Sequence, residues 1–207
     1  MTFKAESLGR FTRTLSSLDA GPDATNPYTD PRLRHNLERY MDAVAMRPGN
    51  RLLLVGEALG YRGGLHTGIP FTSTRLLRTA PHRFLQALKP TLDLRGDETE
   101  STAASLWQFL ARRTRIPLCW NAFPFHPHQR GNPASNRAPS ACELAIGRDI
   151  LMVLIESYHP DHIIAVGNAA HRAVIGIPAG ARVSRVRHPS YGGKREFMTG
   201  MAQAYRR

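Results

Sequence analysis

The stretch that most constrains this chain is residues 51–73, RLLLVGEALGYRGGLHTGIPFTS. Leu52, Leu53, Leu54 and Val55 run without polar alternation into Gly56 and Glu57, which suits a strand covered on both faces rather than one with a wet side. Such a strand belongs in the middle of a sheet. Behind it, Gly56, Gly60, Gly63, Gly64 and Gly68 lack Cβ atoms, so backbone amides and carbonyls can approach a ligand closely. Open α/β sheets bind ligands beyond the carboxyl ends of their parallel strands, and this loop is therefore the leading site candidate.

The rest of the chain supplies the other layers. Asp30-Pro31 has the form of a helix start, and Leu33, Leu37, Tyr40, Met41 and Val44 follow at helical spacing before Arg47-Pro48-Gly49-Asn50 stops the run. Residues 72–115 read as helices, with Ala103, Leu106, Phe109 and Leu110 on one apolar face and a polar connection over 92–99. A second short strand, 116–120, delivers Asn121 and leads to AFPFHPH and a loop over 128–139. Ser140 and Glu143 have capping-box spacing ahead of a helix whose buried stripe is Leu144, Leu151, Leu154, Ile155 and Tyr158. His159-Pro160-Asp161 ends it. A third strand, 162–166, reaches Gly167-Asn168 and a helix stopped by Gly176. A fourth, 182–187, ends at His188-Pro189-Ser190, and a last helix covers 195–205. Strands alternating with helices predict a three-layer α/β fold: a central four-stranded parallel sheet with helices on both faces.

At 207 residues the chain suits one core, and a single domain over 30–207 is expected behind an irregular arm, residues 1–29, that carries few apolar periods and GPDATNP. No apolar run approaches a membrane span and no secretory core is present, so a cytoplasmic protein without membrane contact is expected. Cys119 and Cys142 are the two cysteines, too few for a disulfide framework or an all-cysteine cluster. The net charge is +12, carried by 25 Arg against 3 Lys. Arginine's planar fork suits phosphate oxygens, so the charge favours a nucleic-acid partner; a G+C-rich coding sequence would also enrich arginine.

If the four strands are parallel, their carboxyl ends bring Glu57, Asn121, Asn168, His188 and Ser190 to one edge, with Phe71 available as an apolar wall. A carboxylate and an imidazole are the usual acid–base pair, and an amide offers a donor and an acceptor side by side. Taken singly, Glu57 also reads as a surface residue, the asparagines as caps and His188 as a structural histidine before a proline. His66, His126, His128 and His171 have no metal-ligand spacing, so a metal site is not expected.

In order along the chain, GEALGYRGGLHTGIPF, CWNAFPFHP, SNRAPSACE, IIAVGNAA and RHPSYGG resemble landmarks of the uracil-DNA glycosylase superfamily. The first motif and NRAP are similar to its thermostable bacterial and archaeal branch. TGIPF and the aromatic stretch after Asn121 are similar to the single-strand-selective branch. The resemblance implies a cofactor-free enzyme of DNA repair, expected as a monomer, that flips uracil or a related deaminated base from DNA and hydrolyses its N-glycosidic bond. Flipping costs a few kcal/mol, which contacts to the backbone and stacking in the pocket offset.

On that resemblance Phe71 stacks on the flipped base beside Gly56, and Asn121 reads its polar edge. His188 hydrogen-bonds the O2 on which negative charge grows, while Glu57 positions water or stabilises the cation-like sugar. Ser190 and the amides of Gly192 and Gly193 hold phosphates with Lys194 and Arg195, and Tyr191 lies in the wedge segment. Two positions depart from the pattern. Ala58 stands where other branches have an aspartate or asparagine, and Gly60 where one branch has a tyrosine that blocks the thymine methyl. Three further readings follow: a pocket for hypoxanthine or xanthine as well as uracil, a DNA-binding protein of the same fold with little turnover, and a nucleotide-binding α/β protein using 56–64 as a phosphate loop. The last lacks both G-x-x-x-x-G-K-[ST] and a clean G-x-G-x-x-G.

Overall fold

The apolar run at 52–56 does become the middle of a sheet. In the computed structural model, which describes residues 5–47, 49, 51–177 and 180–206, the strands are β1 (Ala24–Thr25), β2 (Leu52–Gly56), β3 (Leu118–Asn121), β4 (His126–Pro127), β5 (His162–Val166) and β6 (Arg182–Val186). The α-helices are α1 (Ala5–Ser17), α2 (Pro31–Ala45), α3 (Gly64–Thr67), α4 (Thr74–Thr79), α5 (Arg83–Leu88), α6 (Ser101–Leu110), α7 (Ala141–Tyr158), α8 (Asn168–Val174) and α9 (Lys194–Arg206). The main sheet is parallel throughout, in the order β3-β2-β5-β6. Every residue of β2, β3 and β5 is buried, as strands covered on both faces require. Edge strand β6 is largely exposed until Val186.

Local signals set the helix ends. Asp30 accepts from the Arg32 amide at 2.8 Å with Pro31 in the first turn of α2, and Ser140 and Glu143 form the expected capping box on α7. Pro48 and Asn50 of the expected stop after α2 lie outside the described residues. Within α7, Gly147 lets the helix press on the chain just beyond β3: a Cβ there would sit 1.9 Å from the Ala122 carbonyl oxygen. A glycine inside a helix costs about 1 kcal/mol; here it lets α7 lie directly against the exit of β3.

The expectation of an irregular arm over residues 1–29 is corrected for residues 5–29, residues 1–4 lying outside the described residues. Residues 5–17 form α1, whose Phe11 and Leu15 are buried, with the Phe11 ring 5.5 Å from that of Trp120 in β3. Phe11, Leu15 and Leu18 already have helical spacing in the sequence. Asn26 ties the helix end by donating to the carbonyls of Leu15 and Leu18 at 2.7 and 2.9 Å. The small β1–β4 sheet joins the segment after α1 to the chain beyond Asn121. Both strands are two residues long, too short for a period to register.

A second polar lock sits beside it. Arg137 forms a fork with Glu143 at 2.7 and 2.6 Å and donates to the carbonyls of His128 and Asp23, each at 2.8 Å. The NRAP segment thereby fastens the 128–139 loop to α7 and to the chain leading into β1. Among the described residues no helix is long and apolar enough to cross a membrane, and no group of three His, Cys, Asp or Glu could hold a metal ion. Cys119 and Cys142 are both free thiols.

Candidate active site

The carboxyl ends of the parallel strands open into a cleft of about 800 Å³ lined by Glu57, Ala58, Gly60, Phe71, Asn121, His188, Ser190 and Tyr191. Each strand end contributes by a local device. At the end of β2, Gly56 is required by close approach: a Cβ would lie 2.5 Å from Asn121 Oδ1 and 2.6 Å from Phe71 Cζ. Its bare Cα lets the ring and the amide meet over the strand.

Phe71 is buried and holds a left-handed backbone, φ 57°, a conformation that costs a non-glycine residue roughly 1–2 kcal/mol. The indole of Trp107 in α6 donates to the Phe71 carbonyl at 3.1 Å and helps hold the turn. Asn121, the last residue of β3, pairs with Gly56 across the sheet and is 3% exposed. Its amide has no hydrogen-bond partner among the described residues, so a donor and an acceptor stand ready at the cleft wall.

His188 follows β6. Its Nδ1 accepts from the Ser190 amide at 3.2 Å and lies 2.7 Å from the Ser190 hydroxyl. An amide cannot donate to a protonated nitrogen, so in the neutral ring the hydrogen is on Nε2. Burial first, and the Arg187 guanidinium second, push the His188 pKa below its ordinary 6.5. A neutral imidazole with an Nε2 donor is the form favoured near neutral pH. Gly167, at the end of β5, makes room behind it: a Cβ there would touch His188 Cβ at 3.4 Å.

Glu57 and Ala58 are half-buried beside this group, and no protein donor among the described residues engages the Glu57 carboxylate. Gly60 has space around it, since the nearest atoms to a Cβ would be Asn136 Oδ1 at 3.9 Å and Glu100 Cγ at 4.0 Å. Tyr191 is 97% exposed at the cleft rim with a left-handed backbone, φ 51°, and Gly192, Lys194 and Arg195 are exposed beside it.

Three expected positions are placed differently. Asn168 is exposed, accepts from Arg185 at 3.1 Å and does not line the cleft. Gly193 does not offer its amide outward; it donates to the Ser190 carbonyl at 3.0 Å, and a Cβ would lie 2.3 Å from the His188 carbonyl oxygen. The Ser190 hydroxyl turns to His188 rather than to solvent. The Ser190 and Gly193 differences come from the tight turn before α9, where short-range hydrogen bonds take up groups that a linear reading leaves free; Asn168, at the start of α8, is taken up instead by Arg185 of the neighbouring strand β6.

The cleft also contains residues that strand ends do not reveal. Tyr61, Arg62, Asn136 and the α6 start at Glu100, Ser101 and Thr102 line its far wall. Asn136 binds the Tyr61 amide at 2.8 Å, and Glu100 caps α6 by accepting from Thr102 and Ala103, each at 2.8 Å. The NRAP motif was the signal for Asn136; nothing local marks the start of α6 as part of a site. His126 is buried away from solvent, its two ring nitrogens facing the carbonyls of Leu59 and Pro133 at 2.8 and 3.1 Å.

Fold and cleft together define an α/β protein whose parallel sheet presents an acid, a free amide, an imidazole and an aromatic ring in one site. The model of the uracil DNA glycosylase superfamily matches residues 45–205, and the chain belongs to that superfamily. A solved structure, that of wild-type Pedobacter heparinus SMUG2, is similar in fold with a TM-score of 0.72 at 17% identity, over 100% of this chain and 97% of that one. No curated protein matches the chain in sequence.

Proposed function

We propose that this protein excises uracil or a related deaminated base from DNA by hydrolysis, leaving an abasic site. The observation that carries the reading is the meeting of Phe71, Asn121, His188 and Glu57 in one cleft at the carboxyl edge of the sheet. Phe71 stacks on the flipped base, and the partnerless Asn121 amide pairs with its polar edge. As the bond between the sugar C1′ and the base nitrogen breaks, its electron pair leaves with the base. The Nε2 hydrogen of His188 then stabilises the negative oxygen, an effect strongest in a dry pocket. Glu57 faces the cation-like sugar and orients the water that adds to C1′. Ala58 has no oxygen for that task, so water positioning falls to Glu57.

The size of the cleft and the space around Gly60 favour a second reading of the substrate: deaminated bases larger than uracil enter as well. Tyr191, Gly192, Lys194 and Arg195 contact the DNA backbone and the gap left in the stack.

Single- and double-stranded oligonucleotides carrying uracil, hypoxanthine or xanthine, treated with alkali after incubation, test the proposal. Strand scission is expected. His188→Ala and Asn121→Ala should each lower the rate at least tenfold with DNA affinity nearly intact. No scission with any of the three bases, even at enzyme excess, would leave a DNA-binding protein without turnover.

A further inference from the structure

At the opposite edge of the sheet, ahead of the amino end of β3, lies a second pocket of about 430 Å³. Arg112, Arg113, Thr114, Arg115, Ala202, Tyr205 and Arg206 line it. Helices α6 and α9 meet there with their carboxyl ends. The ten residues of α6 set it about 15 Å from the cleft, at 1.5 Å per residue.

None of the four arginines forms an ion pair with a described carboxylate. Two helix carboxyl termini supply about −0.5 charge each, which leaves a surplus of about three positive charges. Capping accounts for part of the cluster: Arg113 donates to the Phe109 carbonyl and stacks 3.7 Å from the Phe109 ring centre. It does not account for Arg115 Nε and the Tyr205 hydroxyl, both buried without a hydrogen-bond partner among the described residues. A buried donor left unpaired is costly, and an oxyanion would supply the acceptor that both lack. The field of the cluster reaches the sheet. The His162 pKa falls to about 4 through burial first, then Arg182 and Arg115.

We propose that this arginine pocket binds a phosphate group of a second ligand, distinct from any DNA strand held in the cleft. The phosphate is carried by a nucleic-acid strand or by a free oligophosphate, and the chemistry of recognition is the same: guanidinium forks around oxyanions. A nucleic acid at this pocket would give the protein two DNA-contacting faces.

The test uses inorganic tripolyphosphate and the full chain, with Arg112→Gln/Arg206→Gln as the variant, since both side chains are exposed at helix ends. Calorimetry should show tripolyphosphate binding that weakens at least tenfold in the variant, while cleavage of a short uracil oligonucleotide is unchanged. In an NMR titration the His162 pKa should rise on adding tripolyphosphate, because the bound anion offsets Arg115. A bridging assay separates the sources: capture of a labelled undamaged duplex on an immobilised one, lost in the variant, assigns nucleic acid, and binding without capture assigns the free oligophosphate. Equal tripolyphosphate affinity in wild type and variant, or an unmoved His162, overturns the proposal. The binding readouts do not depend on base excision, so failure of the proposed enzymatic function would not be mistaken for failure here.

Discussion

Ser190 decides which nitrogen of His188 carries the hydrogen. Its amide donates to Nδ1 at 3.2 Å and its hydroxyl lies 2.7 Å from the same atom, which directs the Nε2 hydrogen away from the turn. Ser190→Ala keeps the amide and loses the hydroxyl. The loss of one hydrogen bond, about 1 kcal/mol, predicts a fall in kcat of about fivefold. Because the His188 pKa is lowered, activity carried by the neutral ring persists below pH 6.5 and is lost as pH falls through the depressed value. A pH–rate profile with its acid limb centred above 6.5 would contradict this.

Gly56→Ala should abolish the pocket without abolishing the fold. The new methyl would stand 2.5 Å from Asn121 Oδ1 and 2.6 Å from the Phe71 ring, so both side chains must shift, at roughly 1–3 kcal/mol for overpacking. We expect excision to drop by about a hundredfold, since ångström-scale displacement of positioning groups has that effect. Denaturant melts and single-turnover rates measure the two parts separately.

Gly60 gives the opposite case. A Cβ there meets nothing closer than 3.9 Å, so Gly60→Tyr should fold normally and narrow the cleft. The ratio of kcat/KM for uracil to that for hypoxanthine should rise at least tenfold. An unchanged ratio would place the size filter elsewhere.

Tyr191 projects from the rim, 97% exposed on a left-handed backbone. If it fills the gap in the stack, Tyr191→Gly removes the ring and relieves the strain at once. Activity should fall several-fold on duplex DNA and little on single strands, where no stack needs filling. Equal losses on both substrates would exclude the wedge role.

Two groups, the buried His162 and the half-buried Glu143, set separate acid windows for stability. The His162 pKa lies at about 4 in the folded chain against an ordinary 6.5, so the unfolded chain binds the extra proton and stability is lost as pH drops from 6.5 toward 4. The total is on the order of 3 kcal/mol by pH 4. Glu143, held at about 2 first by its hydrogen bonds to Arg137, contributes stability that is present above 4.5 and lost as pH falls toward 2. Urea midpoints between pH 7 and 4 should decline in the wild type and flatten in His162→Gln; an equal decline in both would assign the loss to other groups.

The sequence alone determined the layered sheet and most of the site's composition. Unbroken apolar runs such as Leu52–Val55 have one stable use, as strands covered on both faces, and the carboxyl ends of such strands share an edge. Glu57, Asn121 and His188 each follow an expected strand, which is enough to bring them to one edge. Where a group's partner is set by a turn rather than by a period, as with the Gly193 amide and the Ser190 hydroxyl, spacing does not reveal it. The period of α1 is present in the sequence, but its covering of Trp120 depends on a contact 109 residues away. Only the tertiary structure decided that Gly56 must be bare, that Asn168 faces Arg185, and that the ends of α6 and α9 bring four arginines to one pocket. Residue type and spacing fix what a side chain can do. Its neighbours in space fix which of those capacities remains free.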